Sequence, residues 1–161
     1  MHNDIQQLRQ ILKSVKTIAV VGLSAQWHRP SFFAAKYMQE NGYRIIPVNP
    51  RYAGVDGHPA ETILGETCYA SLLDIPETVD MVDVFRKSED VFPIAQEALQ
   101  IGAQCLWQQL GVENPEADQL FQDAGLSSVT NRCVKIEHAR LFGGLNWVGV
   151  NTGIISAKRP L

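Results

Sequence analysis

The sequence lacks the features that would place it in a membrane, outside a cell or on a nucleic acid. No apolar run approaches the roughly 18 residues that a membrane-spanning helix needs, and the start Met1-His2-Asn3-Asp4 has no charged-then-apolar secretory pattern. Cysteine is scarce. Cys68, Cys105 and Cys133 are odd in number and show no C-x-x-C spacing, which excludes a disulfide framework and fits a reduced, cytoplasmic setting. A basic excess is also missing: 14 Lys and Arg stand against 17 Asp and Glu, a net charge of −3, so generic nucleic-acid binding has no electrostatic support. The four histidines never fall at short ligand spacing, and no metal site is expected. No nucleophile elbow with a Ser-Asp-His order appears, and neither do internal repeats.

With 161 residues, the chain fits one domain, 1–161, long enough to bury its own core. An amphipathic helix is expected over residues 4–16, where Ile5, Leu8, Ile11, Leu12 and Val15 recur at helical spacing and Asp4 and Gln7 are placed as a capping box. Residues 17–21 form an apolar, β-branched run suited to a parallel strand covered on both faces. Pro30-Ser31 opens a helix that Gly42 ends. Further strands are expected over 43–48, 81–85, 104–108 and 126–130, and further helices over 91–101 and from the Asn114-Pro115-Glu116 start to Gly125. Pro47 within the second strand points to an edge or a bulge. The segment after Pro50, with Gly54, Gly57, Pro59 and Gly65, reads as irregular, with Ser71 capping a short turn over Leu72-Leu73. Strand and helix alternate at the pitch of βαβ units. The fold expected is therefore α/β: a single Rossmann-like, doubly wound parallel sheet of about five strands with helices on both faces.

In such sheets a ligand sits outside the strand carboxyl ends, and those loops hold much of the positive charge. Arg29 follows the first strand, Arg51 the second, Arg86 and Lys87 the third, and Arg132 and Lys135 the fifth. An acidic chain with cations gathered on one edge is arranged for an anionic ligand. The first loop is not a dinucleotide fingerprint, because Ser24 and Trp27 stand where G-x-G-x-x-G needs glycines and Gly22 alone matches. No ribose-binding carboxylate ends the second strand either; Asn49-Pro50-Arg51 is there instead. An arginine at that point favours a ligand with an extra phosphate on its ribose, which leaves NADP and coenzyme A both open.

The motifs Ile18-Ala19-Val20-Val21-Gly22-x-Ser24 with Arg29-Pro30-Ser31, Pro47-Val48-Asn49-Pro50, Val79-Asp80-x-Val82-Asp83-Val84-Phe85-Arg86, Trp107-x-Gln109-Leu110-Gly111 and Arg132-Cys133-x-Lys135-Ile136-Glu137 resemble the small stand-alone CoA-binding proteins. That family is similar to the N-terminal CoA-binding domain of the succinyl-CoA synthetase α subunit. The resemblance covers residues 17–138. It implies that CoA or an acyl-CoA lies across the strand ends. Gly22 and Ser24 would then offer backbone and hydroxyl donors to phosphate oxygens, with Arg29 and Ser31 adding charge and a helix-terminal contact. Asn49, Pro50 and Arg51 would flank the nucleotide, and Phe85 and Arg86 would cover the adenosine–phosphate portion. The synthetase's catalytic histidine belongs to a second domain, for which 161 residues leave no room, so the resemblance implies binding without ligase chemistry, for sensing or delivery.

Other residues have plainer readings. Cys133, beside Arg132 and Lys135, reads as a small buried hydrophobe at a strand end rather than a reactive thiol. His28 is a loop residue within reach of an anion, and His2 and His58 are expected on the surface. Glu137 and His138 are adjacent and do not share a face of a regular element, which argues against an acid–base pair. Asp83, inside an apolar strand, is expected to pair with Arg86, Lys87 or a backbone amide. Cys105 and Trp107 are expected in the core. The apolar, Gly-rich stretch 141–161 suits an added strand, a strap or a contact with a second copy or another protein. Two other functional readings stay open: an NADP-dependent oxidoreductase, and a regulatory module acting through 141–161.

Overall fold

Residues 17–21 alternate between two buried environments, and that alternation sets the layers of the molecule. A computed structural model of the chain describes residues 5–55 and 58–143. The strands β1 (Thr17–Val21), β2 (Arg44–Val48), β5 (Met81–Val84), β6 (Cys105–Gln108) and β7 (Ser127–Val129) form one parallel sheet in the order β2-β1-β5-β6-β7. Between β2 and β5 lies a small antiparallel hairpin, β3 (Thr62–Ile63) and β4 (Glu66–Thr67).

Helices α1 (Ile5–Ser14), α2 (Pro30–Glu40) and α5 (Val134–Phe142) cover one face, where Leu8, Ala35 and Leu141 join Ile18, Val20 and Trp107 in one core. Helices α3 (Val91–Gln100) and α4 (Pro115–Asp123) cover the other, where Ala95 and Phe121 join Ala19, Val21 and Leu106. Burial on both faces is why these strands read as apolar runs. The sheet is thus the expected five-stranded, doubly wound one. Its order reverses once: the chain steps outward from β1 to β2, then returns past β1 to β5. By the general rule for open α/β sheets, the crevice between the β1 and β5 carboxyl ends is where a ligand sits.

Pro47 lies on edge strand β2. Arg44 N–H donates to the Lys16 carbonyl and Gly22 N–H to the Val48 carbonyl, so residues 44 and 48 face β1 and Pro47 faces outward. Its missing N–H costs no ladder bond. The outward Pro47 carbonyl accepts from Tyr69 N–H at 3.0 Å, and Tyr69 returns its own carbonyl to Asn49 N–H.

Two elements differ from expectation. The segment after Pro50 contains the β3–β4 hairpin, whose turn places Leu64 at φ 55° and Gly65 at φ 78°; leucine is not a residue that announces such a turn. Arg132 to Phe142 is not a loop followed by an extension but the approach to a full helix, α5. Its buried positions Val134, Glu137, His138 and Leu141 have helical spacing, but two of them are polar, so the apolar period is hidden. Asp4, His2 and residues 144–161 lie outside the described residues, so the capping box and most of the C-terminal stretch do too.

Candidate functional site

β1 ends in Gly22, with φ at +90° and its N–H held by the Val48 carbonyl at 2.8 Å. A Cβ here would stand 2.4 Å from the Phe85 carbonyl oxygen and 3.1 Å from Arg86 Cδ. Only glycine lets the loops leaving β1 and β5 approach this closely. Buried Leu23 then anchors a loop that folds back onto α2: Ser24 N–H donates to Ser31 Oγ at 3.0 Å, and Ser24 Oγ accepts from Gln26 N–H at 3.0 Å. Both backbone donors expected to face a phosphate, those of Gly22 and Ser24, are therefore used inside the protein. What the loop turns outward is the Ser24 hydroxyl, the exposed Arg29 side chain and the first turn of α2, which has Pro30 at its start and no side-chain cap. Pro30 has no N–H, and the Phe32 and Phe33 amides donate to the Arg29 carbonyl, so the Ser31 N–H and the helix dipole are what this turn offers an anion.

After β2, Asn49 ties two loops together. Its Nδ2 donates to the Leu23 carbonyl at 3.1 Å and its Oδ1 accepts from Arg51 N–H at 3.0 Å. The Arg51 guanidinium lies 5.8 Å from the Tyr52 ring centroid. After β5, Phe85 N–H donates to the Val21 carbonyl, the Phe85 ring is half-buried, and exposed Arg86 lies 3.8 Å from Asp90.

These loops enclose a cleft of about 1040 Å³ across the β1, β2, β5 and β6 ends, closed on its far side by α5. A recess of about 320 Å³ adjoins it at the α2 N-terminus. Of the nine residues nominated from sequence, Gly22, Arg29, Asn49, Arg51 and Phe85 line both spaces; Ser24 and Ser31 line the recess, and Arg86 the cleft. Pro50 is exposed and lines neither. Four cations, Arg29, Arg51, Arg86 and Lys87, face the cleft against a single acid, Asp90. On a chain of net charge −3, that local excess marks the cleft for a polyanion. Arg132 and Lys135 do not join them. Arg132 pairs with Glu137 at 3.3 Å, and Lys135 Nζ lies over the Phe33 and Tyr37 rings.

The far wall went unrecognised in the sequence. Gln109, Leu110 and Val112 after β6, with Cys133 and Ile136 from α5, line it. Gln109-Leu110-Gly111 has no charge, and the α5 residues belong to a helix the pattern concealed. Cys133 is half-buried at the α5 N-cap and opens on the cleft, correcting the expectation of a buried hydrophobe at a strand end.

Asp83 also differs. It points to the α2/α5 side of the sheet with its register partners Val20 and Trp107, whereas Arg86 and Lys87 follow the strand end into solvent. Its carboxylate oxygen Oδ1 accepts instead from Gln109 Nε2 at 2.5 Å. Burial pushes its carboxyl up to about 7, against the opposing pull of the Gln109 hydrogen bond. Trp107 is fully buried and donates from Nε1 to the Arg132 carbonyl at 2.8 Å, as a core residue does. Glu137 and His138 have separate partners: Glu137 meets Arg132 and Arg140, and His138 Nδ1 is 2.9 Å from the Tyr37 hydroxyl. Burial pulls the His138 imidazole below its usual value.

Among the described residues no helix is long and apolar enough to cross a membrane. Residues 16–139 match the CoA binding domain family. An uncharacterised protein of Bacillus subtilis, YneT, is 38% identical over 133 residues, 83% of this chain and 93% of that protein. An ADP-forming acetate–CoA ligase of Archaeoglobus fulgidus is 35% identical over 89 residues, 54% of this chain but 12% of the ligase. A solved structure from Thermus thermophilus superposes with a TM-score of 0.79 at 39% identity, covering 87% of this chain and all of that one. With the match running through every strand end that builds the cleft, the chain belongs to the CoA-binding domain family.

Proposed function

We propose that the cleft holds coenzyme A or an acyl-CoA without turning it over, for sensing or for delivery to a partner. The observation that carries this reading is the set of four cations around the cleft at the sheet's reversal point, in a chain of the CoA-binding domain family. Phosphate oxygens meet the Ser24 hydroxyl, the α2 first turn and Arg29, while Ser31 spends its hydroxyl holding that loop in shape. Asn49 and Arg51 flank the nucleotide, with exposed Pro50 beside them. Phe85 and Arg86 cover the adenosine–phosphate portion. The remaining arm runs over the β6 end toward Gln109, Leu110 and Cys133, where the cleft turns apolar.

Thermal unfolding with CoA, acetyl-CoA, NAD and NADP tests the reading. CoA at 100 times its dissociation constant is expected to stabilise the fold by about 2.7 kcal/mol. Arg29→Ala and Arg86→Ala each weaken CoA by about tenfold, the worth of one charged hydrogen bond, and leave melting of the free protein nearly unchanged because both side chains are exposed. Intact acetyl-CoA recovered after incubation supports holding over turnover. A shift with NADP and none with CoA overturns the proposal.

A further inference from the structure

Gln109 lines the cleft and yet is only 3% exposed. Its backbone is fixed at both ends: its N–H donates to the Val84 carbonyl and its carbonyl accepts from Val112 N–H. Its side chain has one protein partner among the described residues, Asp83, which accepts from Nε2 and leaves Oε1 without a protein donor. Asp83 is itself 2% exposed and has no ion-pair partner among the described residues. A primary amide offers a donor on one side and an acceptor on the other, and half a turn about its last bond exchanges them. A carboxylate can only accept, whereas a carboxylic acid can donate.

We propose that Gln109 is a specificity residue of the cleft and Asp83 its positioning residue, the proton on Asp83 deciding whether Gln109 offers the ligand an acceptor or a donor. With Asp83 ionised, Nε2 is bound inward and Oε1 is the free face. With Asp83 protonated, its hydroxyl donates to Oε1 and Nε2 is freed. The inference rests on the CoA reading for its ligand. The arm over β6 ends in a thiol, which donates, or in a thioester carbonyl, which only accepts. Acidification therefore moves the preference of the cleft from free CoA toward acyl-CoA.

The groups around Asp83 leave this switch to the pair itself. From β6, the Cys105 thiol is driven upward chiefly by burial and further by Asp83, so it stays neutral. From α5, Glu137 is engaged by Arg132 and Arg140, and His138 by Tyr37. On the cleft side, Arg86 faces Asp90.

The experiment uses the full chain and has two readings. The side-chain amide resonances of Gln109 in the ligand-free protein are followed by NMR between about pH 5 and 8, a range that brackets neutral titrations and stays below the ordinary ionisation of a thiol. They are expected to move with a midpoint near 7, and to stay still in Asp83→Asn. The ratio of CoA to acetyl-CoA dissociation constants is then measured over the same range. Passing from low to high pH, it falls by about fivefold in the wild type, one net hydrogen bond, and is flat in Asp83→Asn and Gln109→Leu. Comparing the ligands as a ratio removes the titration of their shared phosphates. Gln109 resonances that ignore pH, or a wild-type ratio that stays constant, overturn the inference. If neither ligand binds at any pH, the CoA reading fails and the amide resonances alone decide whether the pair switches.

Discussion

Gly22 combines a φ of +90° with a Cβ position 2.4 Å from the Phe85 carbonyl oxygen, so a methyl group there strains the backbone and strikes main chain that cannot swing aside. Gly22→Ala is expected to cost about 3 kcal/mol or more, combining a left-handed conformation with a backbone clash. Urea unfolding measures it, and loss of CoA-dependent stabilisation should accompany it. Asp83 carries a different kind of cost. Its carboxyl titrates near 7 in the folded chain, above the ordinary 3.8. Between those values the native state binds the extra proton, so this residue's contribution to stability falls as pH rises through the window and then levels off. Asp83→Asn keeps the hydrogen-bonding shape and removes the titration. Relative to the wild type, the variant should gain about 4 kcal/mol between acidic pH and pH above neutral, the linkage worth of a shift of that size. Unfolding curves at several pH values check it; parallel stabilities of the two proteins across the range would show that Asp83 does not titrate there.

The helices show what local sequence can announce. α4 is declared by its first residues: Asn114 caps it by accepting from Ala117 N–H at 2.9 Å, Pro115 occupies the first position, and Glu116 and Asp118 face the helix dipole. Asn114 also donates from Nδ2 to the Ser88 carbonyl at 2.8 Å, joining α4 to the turn before α3. Asn114→Ala should therefore cost about 1–2 kcal/mol, the upper part of the range for a lost cap, read as a lower urea midpoint with an unchanged slope. α5 makes no such announcement. Cys133 provides no side-chain cap, and the buried stripe is filled by Glu137 and His138, whose partners lie on Arg132, Arg140 and Tyr37. Glu137 pairs within five residues of itself and His138 with Tyr37, 101 positions away, but in both cases a polar residue fills a buried place, so the apolar period that would show the helix is interrupted. The β3–β4 hairpin escaped for a similar reason, since Leu64 takes a left-handed conformation usually left to Gly or Asn. β1, β2, β5 and β6 were legible because burial on both faces leaves a largely apolar run that needs no context to read.

At the scale of the molecule, the sequence shows the order of elements along the chain but not their order across the sheet. The reversal between β1 and β5 brings Gly22 beside Phe85, 63 positions apart, and only then do cations from three separate loops become one cleft. The basic side of the candidate site was readable because each cation follows a strand. The Gln109–Cys133 side was not, because its contribution is shape and a buried amide rather than charge. Beyond the cleft, the β2 margin has a consequence for how copies of this chain can meet. A parallel sheet with a bare margin is a template for another chain, but here Pro47 offers no donor and Tyr69 already occupies its carbonyl. The border is closed at Pro47. Strand-by-strand polymerisation through this part of the β2 border is disfavoured, a protection that sits beside the Asn49 loop of the cleft.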